Sequence, residues 1–440
     1  MHTYSNEVLT EMHNEKAQNK QILPKLLIVF ITIAVSFFED SLGAYLPYLV
    51  VGAMFLGFFV DRILPICIYV PTTMFNIEFG ILEYVTLAIL IVSCFVAYIE
   101  TEKSQRRENW TGFFFVCLFV FASTYFGYES NPVTAVVTIM TMFYFYCYCS
   151  IFRGEKARLV EFALFVSGVV MMAFVLRQIA SGSAIYLWGT RLTFEESVRD
   201  LANAVAFSIY YAFCRLAITK SEKDTFKSKI FHFVIFAAGS YVLFMTYSRG
   251  VLLSVGVACI IAILFTLKKI SVKHIIGIVA VIIFAIWGIS SMQLDTTLLS
   301  NDVAGGSGLL EFWAYFIRDM FSDGIVRILF GYGPGEFARV SYNSPFRGFY
   351  AHSLFMDAWF SFGILGIIYL MKITLNTVKL ALHTKSAYII GLTVLTVLMY
   401  AAHGNSSNYQ FYLMLGLSYA IAVSLVKPSE EAETGESSNE

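Results

Sequence analysis

Blocks of apolar residues separated by short polar connections recur along almost the whole chain. A hydrocarbon core about 30 Å thick takes roughly 20 apolar residues per helical crossing, so this rhythm predicts about 14 crossings. The first four are Leu26–Phe38, Ala44–Val60, Ile63–Phe75 and Phe79–Ile99, the earliest being short enough to merge in pairs without changing the parity of the rest. Then come Gly112–Tyr128, Val133–Phe152, Leu159–Ile179, Leu201–Thr219, Ile230–Thr246, Val251–Leu267 and His274–Met292. Ser353–Met371, Tyr388–Ala402 and Phe411–Val426 complete the series. The runs are too long and too numerous for membrane β-strands, which alternate apolar and polar residues over about ten positions. The expected fold is therefore all-α: a polytopic membrane bundle of about 12–14 helices.

The polar segments give the organisation. Residues 1–25 read as a cytoplasmic tail rather than a cleaved signal, because the first apolar run begins only at Leu26. Residues 26–427 read as one transmembrane domain, and the Ser/Glu-rich residues 428–440 as a disordered cytoplasmic tail. Two connections are large: Ser181–Asp200, and the stretch 292–351. Long loops in compact proteins usually carry function. The second contains Leu309, Phe312, Trp313, Phe316, Ile317, Met320 and Phe321 at helical spacing, with Glu311, Tyr315, Arg318 and Asp319 opposite. That is an amphipathic helix, and the pattern leaves open whether it lies among headgroups or packs on the bundle as a lid. No internal repeat is visible.

Composition agrees with a bilayer as solvent: 58% of residues are hydrophobic and 14% charged, against roughly 25% charged in a soluble domain. A net charge of −1 gives no reason to expect nucleic acid as a partner. The seven cysteines all lie in apolar runs and read as packing residues rather than disulfide partners or metal ligands.

The sidedness of charge is more informative. Alternate connections, Thr101–Arg107, Arg153–Arg158, Lys220–Lys229, Lys268–Lys273 and Lys372–Lys385, are rich in Lys and Arg and so should face the cytoplasm. With both termini, Arg62 and Arg215, that side holds 22 of the 30 basic residues, and the other eight are Arg177, Arg191, Arg199, Arg249, Arg318, Arg327, Arg339 and Arg347. None of the eight is lysine. Guanidinium offers a planar fork that grips phosphate at two points and keeps its charge, so the opposite face reads as a site for a phosphate-bearing ligand.

Two positions carry candidate chemistry. Arg249 sits in Tyr247-Ser248-Arg249-Gly250, between two apolar runs, where a charge is costly unless it lines a cavity. His352 sits where the long connection meets the next crossing and titrates near neutral pH, as a proton-transfer group should. GYGPGEF, with Gly331, Gly333, Pro334 and Gly335, makes a tight turn rather than a nucleotide loop, since no GK[ST] follows. Glu39 and Asp40 are adjacent acids without a second cluster, and read as a solvated turn rather than a metal site.

The order of Arg191, the Ser-Arg-Gly turn at Arg249, GYGPGEF and HSLFMDAWFSFGILG from His352 to Gly366 resembles the O-antigen polymerase and O-antigen ligase family over roughly the C-terminal 60% of the chain. The resemblance implies a GT-C-like fold, like that of lipid-dependent glycosyltransferases, in the cytoplasmic (inner) membrane with its site on the outer face. It implies a polyprenyl-diphosphate-linked oligosaccharide as substrate, membrane lipids as surroundings, and no metal or other cofactor. It also implies a flippase and a chain-length regulator as pathway partners. Arg191 and Arg249 would hold the diphosphate leaving group and His352 would orient or deprotonate the acceptor hydroxyl. Arg347, Arg318, Arg339, Arg199 and Tyr247 would line the substrate path. The sequence departs from the family at Leu309, where arginine is expected, and Arg347 is the preferred replacement. Polymerase, ligase and lipid-linked oligosaccharide transporter remain the three readings, polymerase first.

Overall fold

A computed structural model describes residues 22–35, 37–38, 42–74, 79–101, 110–127, 132–187, 191–193, 198–218, 225–266, 307–334, 353–402 and 408–436. Its elements are α1 (Ile22–Val35), a 3-10 turn (Gly43–Tyr45), α2 (Leu46–Val60), α3 (Leu64–Met74), α4 (Leu82–Glu100), α5 (Thr111–Phe126) and α6 (Pro132–Ile151). Next come α7 (Gly154–Ser181), β1 (Ile185–Leu187), β2 (Arg191–Thr193), α8 (Val198–Ala217), α9 (Phe226–Met245) and α10 (Arg249–Thr266). The C-terminal part holds α11 (Ser307–Ser322), α12 (Ile325–Phe330), α13 (Leu354–Thr384), α14 (Ala387–Ala402) and α15 (Tyr409–Glu436).

Among the described residues, eight helices are long and apolar enough to cross a membrane and four further apolar helices are shorter. The chain is a multi-pass, all-α membrane protein, as the apolar rhythm predicts. Large side chains such as Phe114, Leu118 and Phe121 on α5 point outward, which suits a lipid solvent. All seven cysteines are free, and six of them are buried.

Four features differ from the expected pattern. The predicted crossing Ile63–Phe75 is the 11-residue α3, which at about 1.5 Å per residue cannot span the hydrocarbon core alone. Leu64, Ile66, Cys67 and Val70 are buried, so α3 takes its apolar character from packing against α2 and α7. The predicted crossing Ser353–Met371 continues as α13 to Thr384, through most of the lysine-rich connection. Thr377 and Ala381 continue a buried stripe from Ile373, and Ala381 packs against Ile389, Ile390 and Ala422. The first large connection carries a small antiparallel hairpin in which Leu187 pairs with Arg191. The predicted crossing His274–Met292 lies outside the described residues. The last helix runs past Val426 to Glu436, where Glu and Ala supply helix propensity.

Small residues let the helices approach closely, as in other membrane bundles. A Cβ on Gly168 of α7 would meet Ala204 O at 2.6 Å, and there Ser208 Oγ of α8 donates to Phe165 O at 2.8 Å. On α14, a Cβ at Gly391 would lie 3.0 Å from Ala258 O of α10.

The described helices leave the bundle with two ends. At one, Lys25 Nζ lies 2.6 Å from Asp61 Oδ2 and 2.8 Å from Glu155 Oε1, tying together the starts of α1 and α7 and the end of α2. Arg153–Arg158 lies on this face, as does the end of α13, next to which Tyr388 Oη donates to Glu161 Oε1 at 2.7 Å. The β-hairpin, the α9–α10 turn, α11, α12 and the start of α13 belong to the other. There Arg327 Nη1 donates to Phe126 O at the end of α5 (2.6 Å) and to Gly331 O (3.3 Å).

Candidate functional site

The hairpin face is built around the reversal between α9 and α10. Thr246 Oγ1 donates to Leu243 O at 2.6 Å and accepts from Ser248 N at 3.2 Å. Tyr247 between them takes φ 53°, a left-handed conformation that costs an L residue about 1–2 kcal/mol. Strain of this kind gathers where the surrounding structure holds a functional geometry. The reversal makes Arg249 the first residue of α10 with an exposed side chain, while Thr246 and Ser248 are buried.

Other elements converge on the same face. β2 packs on α8 and α9, which places the backbone of Arg191 at the end of the bundle that carries the α9–α10 turn. Arg199 lies in the first turn of α8 at that end. The close contact between Gly391 and Ala258 O sets the register of antiparallel α10 and α14. Nine residues up α10 from Ala258 is Arg249, and nine up α14 from Gly391 is Tyr400, so the two are level. Tyr400 Oη donates to Gln410 Oε1 at 3.0 Å, and Asn408 Oδ1 accepts from Phe411 N at 3.0 Å, capping α15. These polar groups therefore stand at the same end of the bundle as Arg249.

The amphipathic helix α11 packs on the bundle as a lid, which resolves the two placements its sequence allowed. Phe312, Phe316 and Met320 are buried against Tyr332 and Phe360. Tyr332 Oη donates to Asp319 Oδ2 at 2.8 Å and pins the helix to the GYGPGEF turn. Tyr332→Phe should lower stability by about 1–2 kcal/mol, since it strips a charge-assisted bond; a thermal melt in detergent checks this.

The arginines of this face divide by what they touch. Arg177 stacks on Phe37 and Phe174, 4.7 and 4.9 Å from the ring centroids, and Arg327 is committed to carbonyls. Both are structural. Arg249 and Arg318 are exposed and no described carboxylate pairs with either. His352, Arg339 and Arg347 lie outside the described residues, and Leu309 falls in the first turn of α11.

Sequence reasoning missed a set of buried polar groups at this end. Gln178 Oε1 near the end of α7, Asn203 Oδ1 in the second turn of α8 and Ser248 Oγ have no hydrogen-bond partner among the described residues. Buried polar atoms are normally satisfied, and exceptions gather at functional sites. The available signal was an amide inside the apolar run at Asn203.

Residues 234–371 match the family model described as O-Antigen ligase. They span α9 from its middle, the Arg249 turn, the lid and the first half of α13. No curated protein matches the chain.

Proposed function

We propose, from the match of residues 234–371 to the family model described as O-Antigen ligase, that this chain is a glycosyl-transferring membrane enzyme that polymerises polyprenyl-diphosphate-linked oligosaccharide repeat units at its hairpin face. The observation that carries this reading is the exposed Arg249 guanidinium, without a described acid partner, held at the junction of two apolar helices on the lysine-free face. By the positive-inside rule that face is extracytoplasmic in the inner membrane, where nucleotide sugars are absent. A glycosidic bond there has to come from a sugar already activated on a lipid diphosphate.

In the proposed reaction an acceptor sugar hydroxyl attacks the anomeric carbon of the donor. The new C–O bond forms as the bond to the diphosphate breaks. The diphosphate leaves with an added negative charge, which Arg249 and Arg191 stabilise as it develops. His352 accepts the hydroxyl proton. Arg318, Arg199, Arg339, Arg347 and Tyr247 line the path of the lipid-linked chain. The substrate would arrive from a flippase, and a chain-length regulator would set product length, whether O-antigen, capsule or exopolysaccharide.

The test is to supply membranes carrying the protein with a lipid-diphosphate-linked repeat and resolve products on a gel. A ladder of repeat-unit increments is expected, with His352→Ala slowing it by about 10²–10⁴-fold, the usual share of general acid–base catalysis. A single transfer to an added lipid core would make the protein a ligase. Movement of lipid between leaflets with no new bond would make it a transporter.

A further inference from the structure

The face opposite the site holds a cavity of about 300 Å³. It opens where α1, α2, α4, α6 and α7 end, lined among others by Lys25, Asp61, Glu100, Thr101, Arg153 and Lys156. Charge accounting gives its preference. Asp61 and Glu155 are both held by Lys25, at 2.6 and 2.8 Å. Glu100 Oε1 lies 3.4 Å from Arg62 Nε. Across the lining Lys25, Arg153 and Lys156 balance Asp61, Glu100 and Glu155, Arg62 beside Glu100 adds one positive charge, and Arg153 and Lys156 have no described carboxylate partner.

Arg153 is the sharper anomaly. Its Nε is buried without a hydrogen-bond partner among the described residues, and burial lowers the affinity of its guanidinium for the proton below the usual value. It also occupies the N-cap position of the 28-residue α7 with no side-chain cap; Lys156 N donates to Arg153 O at 3.1 Å, and the Glu155 carboxylate in that first turn is held by Lys25. A buried donor and an unpaired cation beside an uncapped helix start together call for an anion with several acceptor oxygens.

We propose that this cavity is a phosphate-recognising site, with Arg153 and Lys156 as its ligands and the α7 N-terminus as its floor. It stands at the ends of apolar helices, the depth of the headgroups, where basic pockets between helices take lipid phosphates. The same chemistry accepts free phosphate from solution, and the source is settled by experiment. The site is independent of the glycosyl-transfer reading, because it lies at the other end of the bundle.

The experiment uses the full chain purified in detergent, with native mass spectrometry scoring retained phosphatidylglycerol against a phosphate-free galactosyl diacylglycerol. Wild type should hold phosphatidylglycerol about tenfold more tightly than Arg153→Gln/Lys156→Gln, the loss expected for charge-assisted bonds. Arg158→Gln, an exposed position on the same helix, should behave as wild type. A rise in melting temperature with inorganic phosphate, absent from the double variant, would assign the site to soluble phosphate. Equal retention of both lipids by wild type and variant, with no phosphate effect, overturns the proposal. If the double variant fails to fold, Lys156→Gln alone, on a half-exposed side chain, carries the same comparison.

Discussion

Arg249→Lys is expected to lower the turnover of repeat-unit polymerisation by about 10²–10³-fold, the range for losing one preorganised transition-state donor, while leaving stability unchanged. Lysine keeps the charge but replaces a planar two-point fork with a hydrated point charge. The loss should therefore fall on kcat more than on KM for the lipid-linked donor, because the diphosphate gains its charge in the transition state. Stability points the other way. Arg249 opens α10, and a cation at the positive end of a helix dipole is unfavourable by about 0.3–1 kcal/mol. With no described carboxylate to offset that cost, Arg249→Ala should melt at or slightly above wild type while being at least as inactive as Arg249→Lys. Steady-state rates and melts of the three proteins check the pair of statements. Full activity in the lysine variant would remove Arg249 from the chemistry, and a collapse of the alanine variant would make it a structural residue.

The division between what could and could not be read in the chain follows from the range of the interactions. The multi-pass, all-α architecture was legible, since long apolar blocks are local signals that the bilayer enforces. Arg249 was legible for the same reason, as a charge with nowhere polar to go. The placement of α11 was not, because a stripe such as Phe312-Phe316-Met320 looks identical whether it meets acyl chains or Phe360 of α13. Nor was the use of each arginine. Arg177 and Arg327 differ from Arg249 only in the aromatic rings and carbonyls that folding brings to them. The extension of α13 was hidden by its lysines, whose charged ends mark an interface although their backbone continues the helix. The break within α13 was hidden too, since HSLFMDAWFSFGILG keeps a helical apolar pattern straight through Gly363 and the sign of φ is not written in it.

That break gives the second large expected effect: Gly363→Ala should destabilise the protein by roughly 3 kcal/mol, combining a left-handed backbone with a steric clash. Gly363 interrupts α13 with φ 65° and ψ −162°. Near the break, the carbonyls of Phe360 and Ser361 accept from Tyr332 N at 2.7 Å and Gly333 N at 3.1 Å. The GYGPGEF turn thus docks into the broken helix and satisfies backbone groups that hydrocarbon could not. The approach is too close for side chains on either strand of the contact. A Cβ at Gly363 would strike Leu329 C and O, and one at Gly331, itself at φ 73°, would lie 2.5 Å from Phe360 O. These obstacles are backbone and cannot swing aside. The lid α11 is anchored to the same turn through Asp319 and Tyr332. An alanine at Gly363 therefore releases the lid as well as the helix, and loss of polymerisation should accompany the loss of stability. Gly256→Ala is the matched control: it lies inside α10 with open space at its Cβ, so it should be neutral or stabilising by up to about 1 kcal/mol. Melting both variants in detergent separates this lock from a general intolerance of added methyl groups, and equal melting temperatures would show that the turn and the broken helix are not coupled.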